Sequence, residues 1–150
     1  MRGRLEDALR DATLARDQRA TSTLRLILAA LRDRDIAERA KGNIAGLSNE
    51  QIVALLHAMV KQRRESIKHY EGGGRLDLAQ QEAEEIVVIE QFMPPQMSEV
   101  EIGDAVLSAI AETEAKNLKD MGRVMTVLRE RYAGRMDFAL AGARVKGELT

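Results

Sequence analysis

Apolar residues return at intervals of three and four along almost the whole chain, the spacing that gathers them on one side of a helix. Leu5, Leu9 and Ala12 set the first such stripe, with charged residues filling the gaps. After Asp17, a second helix beginning near Arg19 buries Thr21, Leu24, Ile27, Leu28 and Leu31, while Arg25, Arg32 and Arg39 recur every seven residues on another face. It ends around Gly42. Ser48-Asn49-Glu50-Gln51 then has the form of a capping box, in which the Ser48 hydroxyl accepts from an early helix amide and the Gln51 side chain reaches back to the amide of Ser48. The third helix turns Ile52, Leu55, Leu56, Met59, Val60, Arg63, Ile67 and Tyr70 inward. On its other side His57, Lys61, Arg64 and Lys68 form a basic ridge at spacings of four, three and four, and the glycines at 72–74 stop the helix.

Leu76, Ala79, Ala83, Ile86 and Met93 carry a fourth helix. Its run Ile86-Val87-Val88-Ile89 has the composition of a strand but sits in a frame rich in Glu and Gln, which favours the helix. Pro94-Pro95 cannot continue it, because neither nitrogen carries a proton and each proline pushes its predecessor toward extended angles. A second capping box, Ser98 with Glu101, opens a fifth helix with Ile102, Val106, Ala109 and Ile110 inside. Two more follow: 118–132, with Met121, Val124, Met125 and Leu128 inward, and 137–149, with Phe138, Ala141, Val145 and Leu149 inward. The pattern thus predicts an all-α protein, an N-terminal four-helix unit over residues 1–94 followed by a small C-terminal three-helix unit over 95–150.

Composition agrees with packed amphipathic helices: 45% of residues are hydrophobic and 31% charged, yet only two Phe, two Tyr and no Trp are present. Lys and Arg (23) nearly balance Asp and Glu (24), so attraction to an anionic partner must come from a local patch. Without cysteine there is no disulfide, thiolate nucleophile or Cys-bound metal, which favours a cytoplasmic home. The longest stretch free of charge, residues 51–60, is too short to span a bilayer, and the first ten residues lack the apolar core of an export signal. No membrane association is expected.

Candidate chemistry is sparse. His57 and His69 lie twelve residues apart, a third of a turn out of phase on one helix, and read as surface residues rather than a metal pair. Glu82, Glu85 and Glu90 read as a solvated face, since nothing beside them announces a cleft that would raise a pKa. The glycines at 72–74 lack the preceding strand and the Lys-Ser/Thr of a phosphate loop. No catalytic residue, cofactor or metal is therefore expected.

Cations remain. Lys61, Arg63, Arg64 and Lys68, joined by Arg25 and Arg32, have the arrangement of a phosphate-gripping ridge; the alternative is pairing within the helix to Glu65 and Glu71. In the last third, Gly122 interrupts a helix, which calls for close packing or close approach of a partner backbone. Lys116, Lys119 and Arg123 near that helix start, and Gly134-Arg135 in the turn beyond, offer amides and guanidinium groups to a phosphate. Stacking platforms for single strands are missing, so any RNA is gripped by backbone and shape.

Thr23-Leu24-Arg25-Leu26-Ile27, the stretch 61–67, Tyr70 with Gly73-Gly74-Arg75 and Asp77-Leu78-Ala79, Glu85-Ile86 running to Met93-Pro94, Met121-Gly122-Arg123-Val124-Met125 and Gly134-Arg135-Met136-Asp137-Phe138 together resemble the GatB/YqeY family over nearly the whole chain. The resemblance implies a small free-standing bacterial protein with a fold similar to the tail of the B subunit of the glutamine-dependent tRNA amidotransferase. In that enzyme the tail holds tRNA, while amide transfer and ammonia production lie elsewhere. The family's shared motif falls on Gly122, Met125, Gly134 and Arg135; Met93 and Met97 stand where leucines are common.

Three functions stay open. The first is a non-catalytic tRNA-related accessory module, with Lys61, Arg64, Lys68, Lys119, Gly122, Arg123, Gly134 and Arg135 as its RNA-binding residues. The second is an adaptor docking another helical protein, marked by an exposed apolar patch. The third is a carbon-nitrogen ligase using glutamine as amide donor, for which neither nucleophile nor nucleotide cradle is visible.

Overall fold

The computed structural model describes residues 1–150, and its regular elements are helical throughout: α1 (Arg2–Leu14), α2 (Gln18–Ala40), α3 (Asn49–Gly72), α4 (Leu76–Glu90), α5 (Glu99–Thr113), a 3-10 turn (Leu118–Asp120), α6 (Met121–Tyr132) and α7 (Phe138–Leu149). Local chemistry sets the helix starts. Both capping boxes form: the Ser48 and Ser98 hydroxyls each accept from the amide three residues on, at 3.2 Å, and Gln51 and Glu101 accept in return from the Ser48 and Ser98 amides, at 2.9 and 3.2 Å. Asp17 caps α2 by accepting from the Ala20 amide, and Asp137 caps α7 by accepting from those of Ala139 and Leu140. At the end of α3, Gly74 takes a φ of +75° while the Arg75 amide donates back to the Tyr70 carbonyl, the reversal that frees the chain to enter α4.

The chain divides into two compact units, Met1–Met93 and Pro94–Thr150. In the first, α3 and α4 pack as an antiparallel hairpin, α1 lies along α2, and α2 rests on α4. Leu5, Ile27, Ile52, Leu56 and Ile89 are fully buried at their junction. In the second, α5, α6 and α7 pack on one another around Ile102, Val106, Val124, Leu128, Ala141 and Val145.

The run 86–89 is helical, as its Glu-rich frame predicts. Ile86 and Ile89 are buried three residues apart while Val87 stands 62% exposed, which is the rotation of a helix and not of a strand. Two inward positions and one helix start differ from expectation. Thr23, not Thr21, is fully buried on α2, its hydroxyl donating to the Arg19 carbonyl at 2.8 Å. Leu76 opens α4 in solvent, 68% exposed, because the inner stripe of that helix begins at Ala79 and runs through Ile86 to Ile89. The helix expected over 118–132 begins as a 3-10 turn capped by Asn117.

One buried group ties distant parts of the first unit together. Asp35, near the end of α2, accepts a two-pronged hydrogen bond from the Arg2 guanidinium and a 2.8 Å bond from the amide of Leu47. Arg2 also donates to the Leu47 carbonyl at 2.9 Å. The start of α1, the end of α2 and the loop entering α3 are thereby joined. Gly46 is required beside them, since its φ is +75° and a Cβ there would collide with the Asp35 carboxylate.

Candidate nucleic-acid interface

On α3, helical spacing sets Lys61, Arg64 and Lys68 along one exposed side. Lys61 and Lys68 are seven residues apart, about 10 Å along the axis, a separation that suits spaced anionic groups and not a single one. Arg64 reaches α4, its Nη2 lying 3.9 Å from the Glu90 Oε1, with both side chains largely in water. Such a pair contributes little to stability and yields readily to a stronger anion. The alternative, pairing within the helix to Glu65 and Glu71, does not form: the ion pairs of α3 are those of Arg63 and Arg64 with α4.

Arg63 leaves the cationic cluster. Its side chain is only 11% exposed, its Nε donating to the Glu85 Oε2 at 2.9 Å and its Nη1 to the Met59 carbonyl at 3.2 Å. Glu85 is consequently no member of a solvated face: it sits 3.8 Å from Arg19 as well, while Arg19 Nε donates to the Glu84 Oε2 at 3.1 Å. Burial, followed by repulsion from Glu85, raises the pKa of neighbouring Glu82 above its ordinary value. The helix period alone placed Arg63 inward; its partner, 22 residues away on α4, had no signal in the sequence.

In the second unit the expected residues fall at two ends of α6. Lys119 and Arg123 lie at its start, Gly134 and Arg135 just past its end; Gly122 and Gly134 are twelve residues apart, about 18 Å along a helix. They do not form one pocket. At the start, the Asp120 carboxylate accepts from the Lys116 amide at 2.9 Å and from Arg123 Nη2 at 2.8 Å, and these bonds hold its pKa below the usual carboxylate value. The Lys119 amide donates to Asn117 Oδ1 at 3.0 Å. The Lys116, Lys119 and Asp120 amides there already have acceptors within the chain.

The turn beyond α6 is used in the same way. Gly134 has a φ of +78°, and the amides of Arg135 and Met136 both donate to the Tyr132 carbonyl, at 3.0 and 3.2 Å. The Gln96 side chain donates to the carbonyls of Gly134 and Pro94, at 2.9 and 2.7 Å, and the Met97 amide donates to the Arg135 carbonyl. Arg135 itself is exposed, its Nε donating weakly to the Pro95 carbonyl at 3.4 Å.

Close packing does not explain Gly122. It lies on the exposed side of α6, and a Cβ built there would meet no atom within 4 Å. Arg129, seven residues on and also exposed, shares that side and forms no ion pair, whereas Arg131 is held by Glu112 at 2.9 Å. Sequence reasoning passed over Arg129, although the spacing of seven from Gly122 points to it. No group of three or more His, Asp or Glu side chains comes together where a metal ion would sit, and no helix is long and apolar enough to cross a membrane.

A protein of two small helical units, with exposed cations along α3 and at both ends of α6, is the class that fold and surface define. The chain belongs to the YqeY-like protein family, whose model matches residues 2–149. Among curated relatives, Altered inheritance of mitochondria protein 41, mitochondrial, of Eremothecium gossypii is 34% identical over 89 residues, 59% of this chain and 46% of that protein. Its namesake from Lachancea thermotolerans is 27% identical over 115 residues, 75% of this chain and 59% of that protein. This chain therefore spans roughly half the length of the curated relatives it matches. Both are named as mitochondrial, so the likeness extends past the bacterial proteins implied by the sequence resemblance.

Proposed function

We propose that this protein binds structured RNA, tRNA being the class implied by its resemblance to the amidotransferase tail, and serves as a holding module without chemistry of its own. The observation that carries this reading is the ridge of α3, where Lys61 and Lys68 are exposed and engage no carboxylate and Arg64 has only a distant, solvated one. Unpaired cations at helical spacing are matched to a charged backbone and carry no base-specific information. In the second unit Arg129 shares an exposed side of α6 with the open position at Gly122, and Arg135 is exposed beyond the far end of that helix.

The test is filter binding of the purified chain to bulk tRNA over a series of salt concentrations. Affinity should fall steeply with salt, and Lys61→Glu with Lys68→Glu should weaken it at least tenfold and flatten the salt slope by about two units, one per lost phosphate contact. Arg64→Glu with Arg135→Glu should act in the same direction. Binding that is undetectable at low salt, or that ignores all four substitutions, refutes the proposal.

A further inference from the structure

The segment 94–97, which leads into α5, is fastened to the turn that follows α6. Met97 packs its side chain on the core of the second unit, and Met136, just past the turn, is buried at 3% exposure. Beside these anchors three hydrogen bonds cross between segment and turn: Gln96 Nε2 to the Gly134 carbonyl at 2.9 Å, the Met97 amide to the Arg135 carbonyl at 2.9 Å, and Arg135 Nε to the Pro95 carbonyl at 3.4 Å. A fourth braces the segment itself, from Gln96 Nε2 to the Pro94 carbonyl at 2.7 Å.

Gln96 is the uncharged centre of this clasp. Its amide nitrogen carries two hydrogens, and two backbone carbonyls take them. Neither proline has an amide proton to offer, so the segment holds the turn through the Gln96 side chain and the Met97 amide. The bond from Arg135 to Pro95 is too long to fix a guanidinium unaided; it depends on the Pro95 carbonyl being kept beside the turn. With Nε directed at that carbonyl, the edge of the fork formed by the two Nη groups remains for an anion, and two parallel N–H donors match two oxygens of one phosphate. Lys61 and Lys68 present point charges on flexible stems, whereas Arg135 presents a plane whose direction the backbone sets.

We propose that Gln96 is a positioning residue of the RNA-binding surface: by bridging the carbonyls of Pro94 and Gly134 it keeps the Pro95 carbonyl against Arg135 Nε, and so aims the Arg135 fork at a backbone phosphate. The proposal rests on the RNA-binding reading above and adds to it a residue without charge. Linkage makes the effect reciprocal, so a phosphate held by Arg135 steadies the segment 94–97 in return.

Filter binding of the full chain to bulk tRNA at low salt, arranged as a double-mutant cycle, tests this. Gln96→Met removes both N–H donors without adding charge and should weaken binding about three- to tenfold. Arg135→Lys keeps the charge but loses the fork, and should weaken it by at least as much. In the Arg135→Lys chain Gln96→Met should cost nothing further, whereas in a Lys61→Ala chain it should cost its full amount. A residue that only stabilised the fold would cost the same in both. Hydrogen exchange supplies the second readout: the Met97 amide should exchange faster in the Gln96→Met chain, and in the unaltered chain more slowly with tRNA bound than without. Absence of tRNA binding at low salt would remove the RNA-binding reading and this proposal together. Binding that either substitution leaves unchanged, losses that simply add, or a Met97 amide indifferent to tRNA would overturn the positioning role alone.

Discussion

Replacing Asp35 with alanine removes the one acceptor shared by the start of α1 and the loop before α3. The Leu47 amide, buried with its residue at 7% exposure, loses its only acceptor, at a cost of about 1–3 kcal/mol. Arg2 is freed as well; its side chain is 36% exposed and recovers water, so its share is about 0.5–1 kcal/mol. The sum is about 1.5–4 kcal/mol, enough to lower the melting midpoint of the Met1–Met93 unit by about 6 °C or more. Calorimetry and urea unfolding of wild type and Asp35→Ala read this directly. The effect depends on pH in a fixed direction. The Arg2 hydrogen bond, followed by that of the Leu47 amide, holds the Asp35 pKa below its ordinary value, so the unfolded chain takes up the proton first. The gap between wild type and Asp35→Ala is therefore full above about pH 4 and shrinks as pH falls through the folded value. A loss under about 0.5 kcal/mol at neutral pH, or a gap that stays constant as pH falls, would refute the account.

Gly122→Ala should stabilise the second unit by about 0.5–1 kcal/mol, because the position is helical and a Cβ meets open space; thermal unfolding checks it, and tRNA affinity measured on the same variant shows whether the bare backbone serves a partner. Arg63→Ala should cost about 2–3 kcal/mol in urea unfolding, since Glu85, itself only 17% exposed, keeps just the 3.8 Å contact to Arg19, whereas Lys61→Ala should change stability by less than about 0.5 kcal/mol.

What the sequence made legible was local. Ser48 with Gln51 and Ser98 with Glu101 act over three residues, and the apolar stripes over four, so helix starts and inner faces could be read without knowing what packs against them. Asp35 could not be read, because its partners lie 33 and 12 residues away and an acid between Arg34 and Ile36 resembles any solvated helix position. Glu85 misled for the same reason, its burial being created by Arg63 on the neighbouring helix. At Gly134-Arg135 the residues themselves stood out, but the bonds their carbonyls accept from Gln96 and Met97 span a gap of nearly forty positions and had no signal in the sequence, while the Arg135 and Met136 amides are taken by the Tyr132 carbonyl.

The Arg2, Asp35 and Leu47 junction also provides a gauge. Because one carboxylate must hold the first helix and the Leu47 amide together, that amide should exchange with solvent only when the whole junction parts. Its deuterium uptake can therefore report, residue-specifically and without any label, how often α1 lifts from the body of its unit.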